Sequence, residues 1–364
     1  MDPVDVATRT ASAIGALAEL HPQVMLNKID STLRGNPGVE LATALIELSV
    51  DHAVMCSAYP QNGRVIENGI LMVNDAPVTE TDIGQDQLSP LLSSNVEEIM
   101  LGSLKRAGVS EHVHLRGNDD GRSVSDLLPV IIAADAQTDD DLKVLAERLV
   151  GAKTTAFVAG SAGVSVALAD VLGDSRSGRH SQSRAITPIG RTLIVTASQR
   201  TVVDEQIKSL GDQINLAQIE ISIDEIIQGL GSASMERIAG LAARERVVVL
   251  KIGKLDSSAI LADGDLRAMA EMIVRNLGQV VRTVTDATPP DVLVVLGGDT
   301  TSGVLSACGV ESLELQGELQ PGTVSGVPAN GSISDKLLIT RAGGFGGKNA
   351  LLELISILEF GHSV

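Results

Sequence analysis

Aromatic side chains are nearly missing from this sequence. Tyr59, Phe157, Phe345 and Phe360 are the whole set in 364 residues, and tryptophan is absent. Any core must therefore be built from Val, Ile, Leu and Ala. With 36 glycines, that composition suits helices packed closely on a parallel sheet. Positive charge is scarce as well. The 28 Lys and Arg face 46 Asp and Glu, a formal charge of −18, and no basic stripe interrupts it, which argues against nucleic acid as a partner. Cysteine is limited to Cys56 and Cys308, far apart and without ligand spacing, so both are expected as buried reduced thiols. No apolar run approaches the ~20 residues of a membrane span, and no signal peptide precedes the first segment. The chain is read as cytoplasmic, with no membrane partner.

What is present has the form of about two domains, each long enough to bury its own core. An amphipathic helix is expected over residues 1–20, with Val6, Ile14, Leu17 and Leu20 on one face. The densest chemistry follows it. An apolar run at 24–26 leads into Lys28-Ile29-Asp30-Ser31-Thr32-Leu33-Arg34-Gly35-Asn36-Pro37-Gly38, and an amphipathic run at 39–48 leads out. This reads as strand, loop and helix, with Asn36 or Ser31 able to cap and Pro37 suited to the first turn. Two cations, an anion, two hydroxyls and an amide in one connection can hold a small anionic polyhydroxylated molecule. Composition alone equally allows a capped turn with a surface ion pair.

Further along, a strand over 52–58 runs into Tyr59-Pro60-Gln61-Asn62-Gly63-Arg64, and 70–73 with 77–79 suggests a hairpin around Asn74-Asp75. Arg64 is the second candidate for carboxylate binding. Residues 96–107 are read as helical. His112 and His114 share a strand face but lack a third ligand for a metal. A strand over 130–134 ends in Asp135, where such folds place ligands, and Asp139-Asp140-Asp141 is read as a helix cap. A strand over 155–159 precedes Gly160-Ser161-Ala162-Gly163, which can hold a phosphate or simply pack closely. The Gly/Ser-rich stretch 173–190 is the best linker in the chain.

After it, strands over 192–196, 247–252, 291–296 and 336–340 each end in a polar or glycine-rich turn. The case is strongest for Gly297-Gly298-Asp299-Thr300-Thr301-Ser302-Gly303. Glycines admit a phosphate, a helix N-terminus offers N–H groups, threonines add donors, and Asp299 is placed to hold Mg2+. The run Gly343-Gly344-Phe345-Gly346 should lie over the same mouth, because parallel strands present their carboxyl ends on one edge. There is neither a Walker A motif nor a Gly-x-Gly-x-x-Gly fingerprint, which disfavours a nicotinamide enzyme.

In this order the segments resemble the four-carbon acid sugar kinase family, once catalogued as a domain of unknown function and sometimes labelled Hrp-dependent type III effector. The resemblance covers nearly all of residues 24–360; the family's first strand and Asp-Asp-x-Thr-Gly turn are not in this sequence. Arg341 stands where the family has Lys, and Ala197 where it has Gly. The resemblance implies an α/β protein of two doubly wound, Rossmann-like domains with mainly parallel sheets and a cleft between them. Residues 1–172 would be a sugar-acid-binding domain, incomplete at its N-terminus, 173–190 a linker and 191–364 a nucleotide-binding domain. It implies an ATP-dependent transferase with Mg2+, acting on a hydroxyl of threonate, erythronate or an oxo-tetronate. Lys28, Ser31, Thr32, Arg34, Asn36 and Arg64 would bind the acid, with Asp30 as the fallback catalytic base. Ser198, Gly297, Gly298, Asp299, Thr300, Thr301, Gly343, Gly344 and Gly346 would bind nucleotide, Asp299 also holding the metal. The partners are then a sugar acid and ATP, with room for a homodimer. The alternative is a catalytically silent relative that binds a ligand or partner as a regulatory or effector module.

Overall fold

The computed structural model describes residues 3–85, 90–106, 108, 114–117, 130–152, 156–174, 190–254, 266–343 and 345–360. Gly344, His112 and nearly all of the expected linker lie outside the described residues. The chain divides into two compact units, Met1–Gly178 and Arg179–Val364.

The first unit begins with α1 (Pro3–Ala18), which buries Val6 and Ile14 and packs on α2 (Pro37–Leu48). Five strands, β1 (Val24–Lys28), β2 (His52–Cys56), β6 (His114–Gly117), β7 (Val130–Ala133) and β8 (Ala156–Gly160), form an all-parallel sheet in the order β1-β8-β2-β7-β6. Between β2 and β6, β3 (Arg64–Glu67), β4 (Ile70–Val73) and β5 (Ala76–Pro77) make a small antiparallel sheet. The helices α3 (Val96–Arg106), α4 (Asp139–Val150) and α5 (Ala162–Asp174) complete the unit. Its core is aliphatic around Leu41, Leu45, Met55, Ile131 and Val158, with the ring of Phe157 among them.

The second unit is built on a seven-stranded sheet. Its strands are β9 (Thr192–Thr196), β10 (Ala217–Ile221), β11 (Val247–Ile252), β12 (Val292–Leu296), β13 (Leu313–Gln320), β14 (Thr323–Pro328) and β15 (Leu337–Arg341). The order is β10-β11-β9-β12-β15-β14-β13, parallel from β10 to β15 and antiparallel at β14 and β13. The helices are α6 (Thr201–Gly211), α7 (Ile223–Gln228), α8 (Ser232–Arg244), α9 (Leu266–Ala287), α10 (Gly298–Ala307) and α11 (Ala350–Phe360). Near-continuous apolar strands fill both faces, because successive residues point to opposite sides. Leu193, Val195, Leu293 and Val295 enter one core. Ile194, Val292, Val294 and Ile339 enter the other, against α6 and α11.

Close approach explains several glycines. A Cβ on Gly278 of α9 would lie 2.4 Å from the Gly303 carbonyl oxygen, and one on Gly303 would lie 2.5 Å from Val274 Cγ1. Gly303 therefore serves helix packing rather than the turn to which the sequence reading joined it. Among the described residues no helix is long and apolar enough to cross a membrane.

Candidate functional site

In the first unit the loop after β1 is built around one carboxylate. Arg34 Nε donates to Asp30 Oδ2 at 3.0 Å and Arg34 Nη2 to Oδ1 at 3.2 Å. The Thr32 N–H and Arg34 N–H donate to Oδ2 at 3.2 and 3.4 Å, and the Thr32 hydroxyl donates to the same oxygen. Burial pushes the Asp30 pKa up, but the bonds and charge of Arg34, with the Thr32 bond, outweigh it and bring it down to about 2. So low a value leaves little proton affinity at neutral pH. In this conformation Asp30 anchors Arg34, and a role as proton acceptor would first require that pair to open.

The backbone bends sharply to make this arrangement. Leu33 sits at φ +59° with its side chain buried, and Gly35 at φ +97°. A leucine held in the left-handed region costs about 1–3 kcal/mol, which surrounding packing must offset. Lys28 Nζ donates to the Ile29 carbonyl at 2.9 Å. Asn36 is the N-cap residue of α2, without a side-chain cap bond, and Pro37 opens the helix as expected. Ser31 is buried at the edge of the loop, and Thr32 is buried more deeply.

Arg64 begins β3 and is buried, its Nη1 donating to the Asn62 carbonyl. Tyr59 and Arg64 exchange backbone bonds of 2.7 and 3.1 Å, closing the turn at Pro60–Asn62. Asp135 accepts from the Gly69 N–H at 3.1 Å and so tethers the β3–β4 turn. The acidic triplet caps α4 through a capping box of Thr138 and Asp141. At the Gly160 turn, Ser161 is fully buried, donates to the Ala58 carbonyl at 2.5 Å and accepts from Gly163 N–H at 3.1 Å. A Cβ on Gly163 would meet the Ala58 oxygen at 2.6 Å. Of the two readings of that turn, close packing is the one realised.

In the second unit, three turns converge because β9, β12 and β15 are neighbours in the sheet. The chain leaves β9 toward β11 and β10, then returns to its other side at β12. That reversal is where open α/β sheets leave a crevice at their carboxyl edge. Gly297 caps α10 at φ +108°, and its N–H donates to the Arg341 carbonyl at 2.8 Å. A Cβ on Gly343 would lie 3.1 Å from Ser198 Oγ and 3.7 Å from Gly297 Cα. Thr300 is buried and accepts from Ala197 N–H at 3.3 Å, whereas Thr301 Oγ1 donates to the Gly297 carbonyl at 2.9 Å. Thr300 thus ties the turn after β9 to the turn after β12, while Thr301 closes the start of α10 on itself.

Gly298 and Asp299 are exposed in the first turn of α10. The leading N–H groups of a helix have no partner one turn earlier and favour an anion. A phosphate chain fits this cradle, and one carboxylate beside it suits Mg2+, which takes few protein ligands and shares phosphate oxygens. No group of three or more His, Cys, Asp or Glu among the described residues could hold a metal unaided.

Two features went unread in the sequence. Lys251 Nζ lies 2.9 Å from Asp204 and 3.3 Å from Glu220, and Lys254 Nζ lies 2.7 Å from Asp204. Burial raises the Asp204 carboxyl, yet the bonds from both lysines bring it below its ordinary value. The other is a buried pair of Gln206 on α6 and Arg341 on β15, whose Nη2 donates to Gln206 Oε1. Burial pushes the Arg341 pKa down to about 10, opposed by the charge of Glu353. Lys251, the cation in an apolar strand, and Arg341, the departure from the family's Lys, stand out in the sequence, but their partners do not.

Comparison with known proteins agrees with this division. A sugar-binding N-terminal domain model matches residues 1–168 and a nucleotide-binding C-terminal domain model matches residues 193–351. A D-threonate kinase of Salmonella typhimurium is 26% identical over 383 residues, covering 98% of this chain and 86% of its own length. A D-erythronate kinase of Heliobacterium modesticaldum is 25% identical over 98% of this chain and 84% of its own. A 3-oxo-tetronate kinase of Cupriavidus necator is 26% identical over 92% of this chain and 77% of its own. Among solved structures, a Salmonella typhimurium protein superposes with a TM-score of 0.68 at 16% identity, covering 97% of this chain and 85% of that one. A Haemophilus influenzae protein follows at 0.61 and 17%, covering 98% and 87%. These two carry the fold, α/β with parallel sheets in two domains.

Proposed function

Because this chain belongs to the four-carbon acid sugar kinase family, we propose that it is an ATP-dependent kinase phosphorylating a hydroxyl of a four-carbon sugar acid. Threonate, erythronate and 3-oxo-tetronate define the substrate class, since relatives act on acids of those names.

Arg34 and Lys28 are the cations proposed to meet the carboxylate, Arg34 held in place by its bonds to Asp30. Ser31 and Asn36 meet the substrate's hydroxyls. Thr32 and Arg64 shape the loop and the neighbouring corner, in keeping with their burial. Asp30 positions Arg34 rather than accepting the proton. In the second unit the N–H groups at the start of α10 would hold the phosphates, Ser198 and Gly343 would line their path, and Asp299 would hold Mg2+, while Gly346 at φ +83° packs on Ala350. The metal, when bound, neutralises charge on the phosphate oxygens. Phosphoryl transfer asks mainly for positioning and charge neutralisation, which these residues supply without a covalent intermediate.

The observation that carries the reading is the convergence of Ser198, Gly297 and Gly343 at the reversal of strand order, where a Cβ on Gly343 would stand 3.1 Å from Ser198 Oγ. Titration calorimetry with ADP–Mg2+ and with threonate, followed by a coupled ADP-release assay across the three acids, tests it. Turnover of one acid is the expected result. Binding without turnover would select a silent, ligand-binding relative, and no binding of either ligand would end the proposal.

A further inference from the structure

The second unit contains a device that neither the motifs nor the kinase reading requires. Gln206 lies in the middle of α6 and is fully buried, at 0% exposure. Its Nε2 donates to three successive carbonyl oxygens of the glycine loop, Phe345 and Gly346 at 3.2 Å and Gly347 at 3.0 Å. Its Oε1 accepts from Arg341, which is 4% exposed. A second tie follows three residues later on α6, where Ser209 Oγ lies 2.9 Å from Asn349 Oδ1. The ring of Phe345 also rests on Gly322, where a Cβ would stand 2.1 Å from the ring.

The amide of a glutamine can face either way, and its neighbours decide which. A guanidinium can only donate and a carbonyl can only accept. Arg341 therefore fixes the oxygen end of Gln206, which leaves its two N–H bonds for the loop. Turned over, the amide would set donor against donor and oxygen against three oxygens. Such a contact inside a buried pocket is heavily penalised. A loop rich in glycine has little side-chain packing of its own to hold its shape, so an external tie is needed.

We propose that Gln206 is the positioning residue of the nucleotide loop at 345–347, with Arg341 holding its amide in the one orientation that staples the loop to α6. The inference rests on the nucleotide-binding reading of this unit and adds how the loop is kept ready for its ligand. It does not place Gln206 or Arg341 against the nucleotide.

The test uses the full chain as wild type, Gln206→Glu, Arg341→Met and Arg341→Lys. Gln206→Glu keeps the bond to Arg341 but sets an oxygen against the three carbonyls. Arg341→Met frees the amide to rotate, while Arg341→Lys retains one donor. Each is titrated with ADP–Mg2+ and with threonate, and hydrogen exchange is followed across 345–350 without ligand. Gln206→Glu and Arg341→Met are expected to weaken ADP by about tenfold or more, as small misplacements of binding groups do. Threonate affinity should stay at the wild-type value, and faster exchange should be confined to 345–350. Arg341→Lys should recover most of the loss. Wild-type ADP affinity and exchange in Gln206→Glu and Arg341→Met would overturn the proposal. So would global unfolding of both, because the pair would then belong to the general core. If wild type itself fails to bind ADP, the nucleotide reading falls, and the exchange data still decide whether the staple exists.

Discussion

Replacing Asp30 by Asn removes the charge around which the β1–α2 loop is wound while keeping its size. In the folded protein this carboxyl titrates at about 2 instead of 3.8. At about 1.4 kcal/mol for each pH unit, the ceiling on its stabilising effect is ~2.5 kcal/mol. The Arg34 and Asp30 side chains are 34% and 32% exposed, so solvent screening reduces that to about 1 kcal/mol. The sign follows from the direction of the shift. A depressed carboxyl contributes above its unfolded value and loses that contribution as the pH falls through about 2. Asp30→Asn should therefore lower the melting temperature of the first unit by about 2–4 °C at neutral pH. Between pH 4 and pH 2 the wild-type advantage should shrink toward zero, while the variant's own curve lacks that component. Scanning calorimetry across this range, beside threonate titration, is the assay. The released Arg34 should also bind the acid less well, because its fork is no longer aimed. A variant with the wild-type melting temperature at pH 7 and the same acid profile would refute the claim that this ion pair organises the loop.

Arg34→Ala is expected to raise the KM for the sugar acid by about tenfold or more while leaving the KM for ATP within about twofold, as loss of a charged bond to one ligand would. Equal effects on both would contradict the assignment of the acid to the first unit and the nucleotide to the second. Gly297→Ala forces a side chain into φ +108° and should destabilise the second unit by roughly 1–3 kcal/mol, read by chemical denaturation. Gly343→Ala has no such backbone penalty, and its methyl would sit 3.1 Å from Ser198 Oγ. It should leave stability within about 1 kcal/mol of wild type yet weaken ADP binding, measured by calorimetry; a stable variant with unchanged affinity would clear Gly343 of any part in the site. Gly322→Ala meets both penalties, φ +71° and the Phe345 ring at 2.1 Å, and should lower stability and ADP affinity together.

Much of this protein could be read directly from its residues, and the reason is local. Apolar runs such as 192–196 and 292–296 can satisfy themselves only as strands buried on both faces, so the α/β class follows from them. Pro37 opens α2 and the Thr138 cap with its acidic first turn opens α4, because short-range bonding sets where helices start. The order of the polar turns was equally visible, since each sits directly after such a run. Other features depend on pairings between distant parts of the chain, which sequence spacing does not encode. The antiparallel arm of β13 and β14, the α9–α10 contact that requires Gly278 and Gly303, and the closed turn at Ser161 belong to this group. Asp30 differs, because Thr32 and Arg34, which lower its proton affinity, lie only two and four positions away, and the turn at Leu33 and Gly35 brings them to it. Gln206 and Arg341 are 135 residues apart, and only the seating of α6 beside β15 makes them one unit. A side chain's neighbours decide whether it is a base, a cap or a staple, and those neighbours exist only after the sheet has assembled.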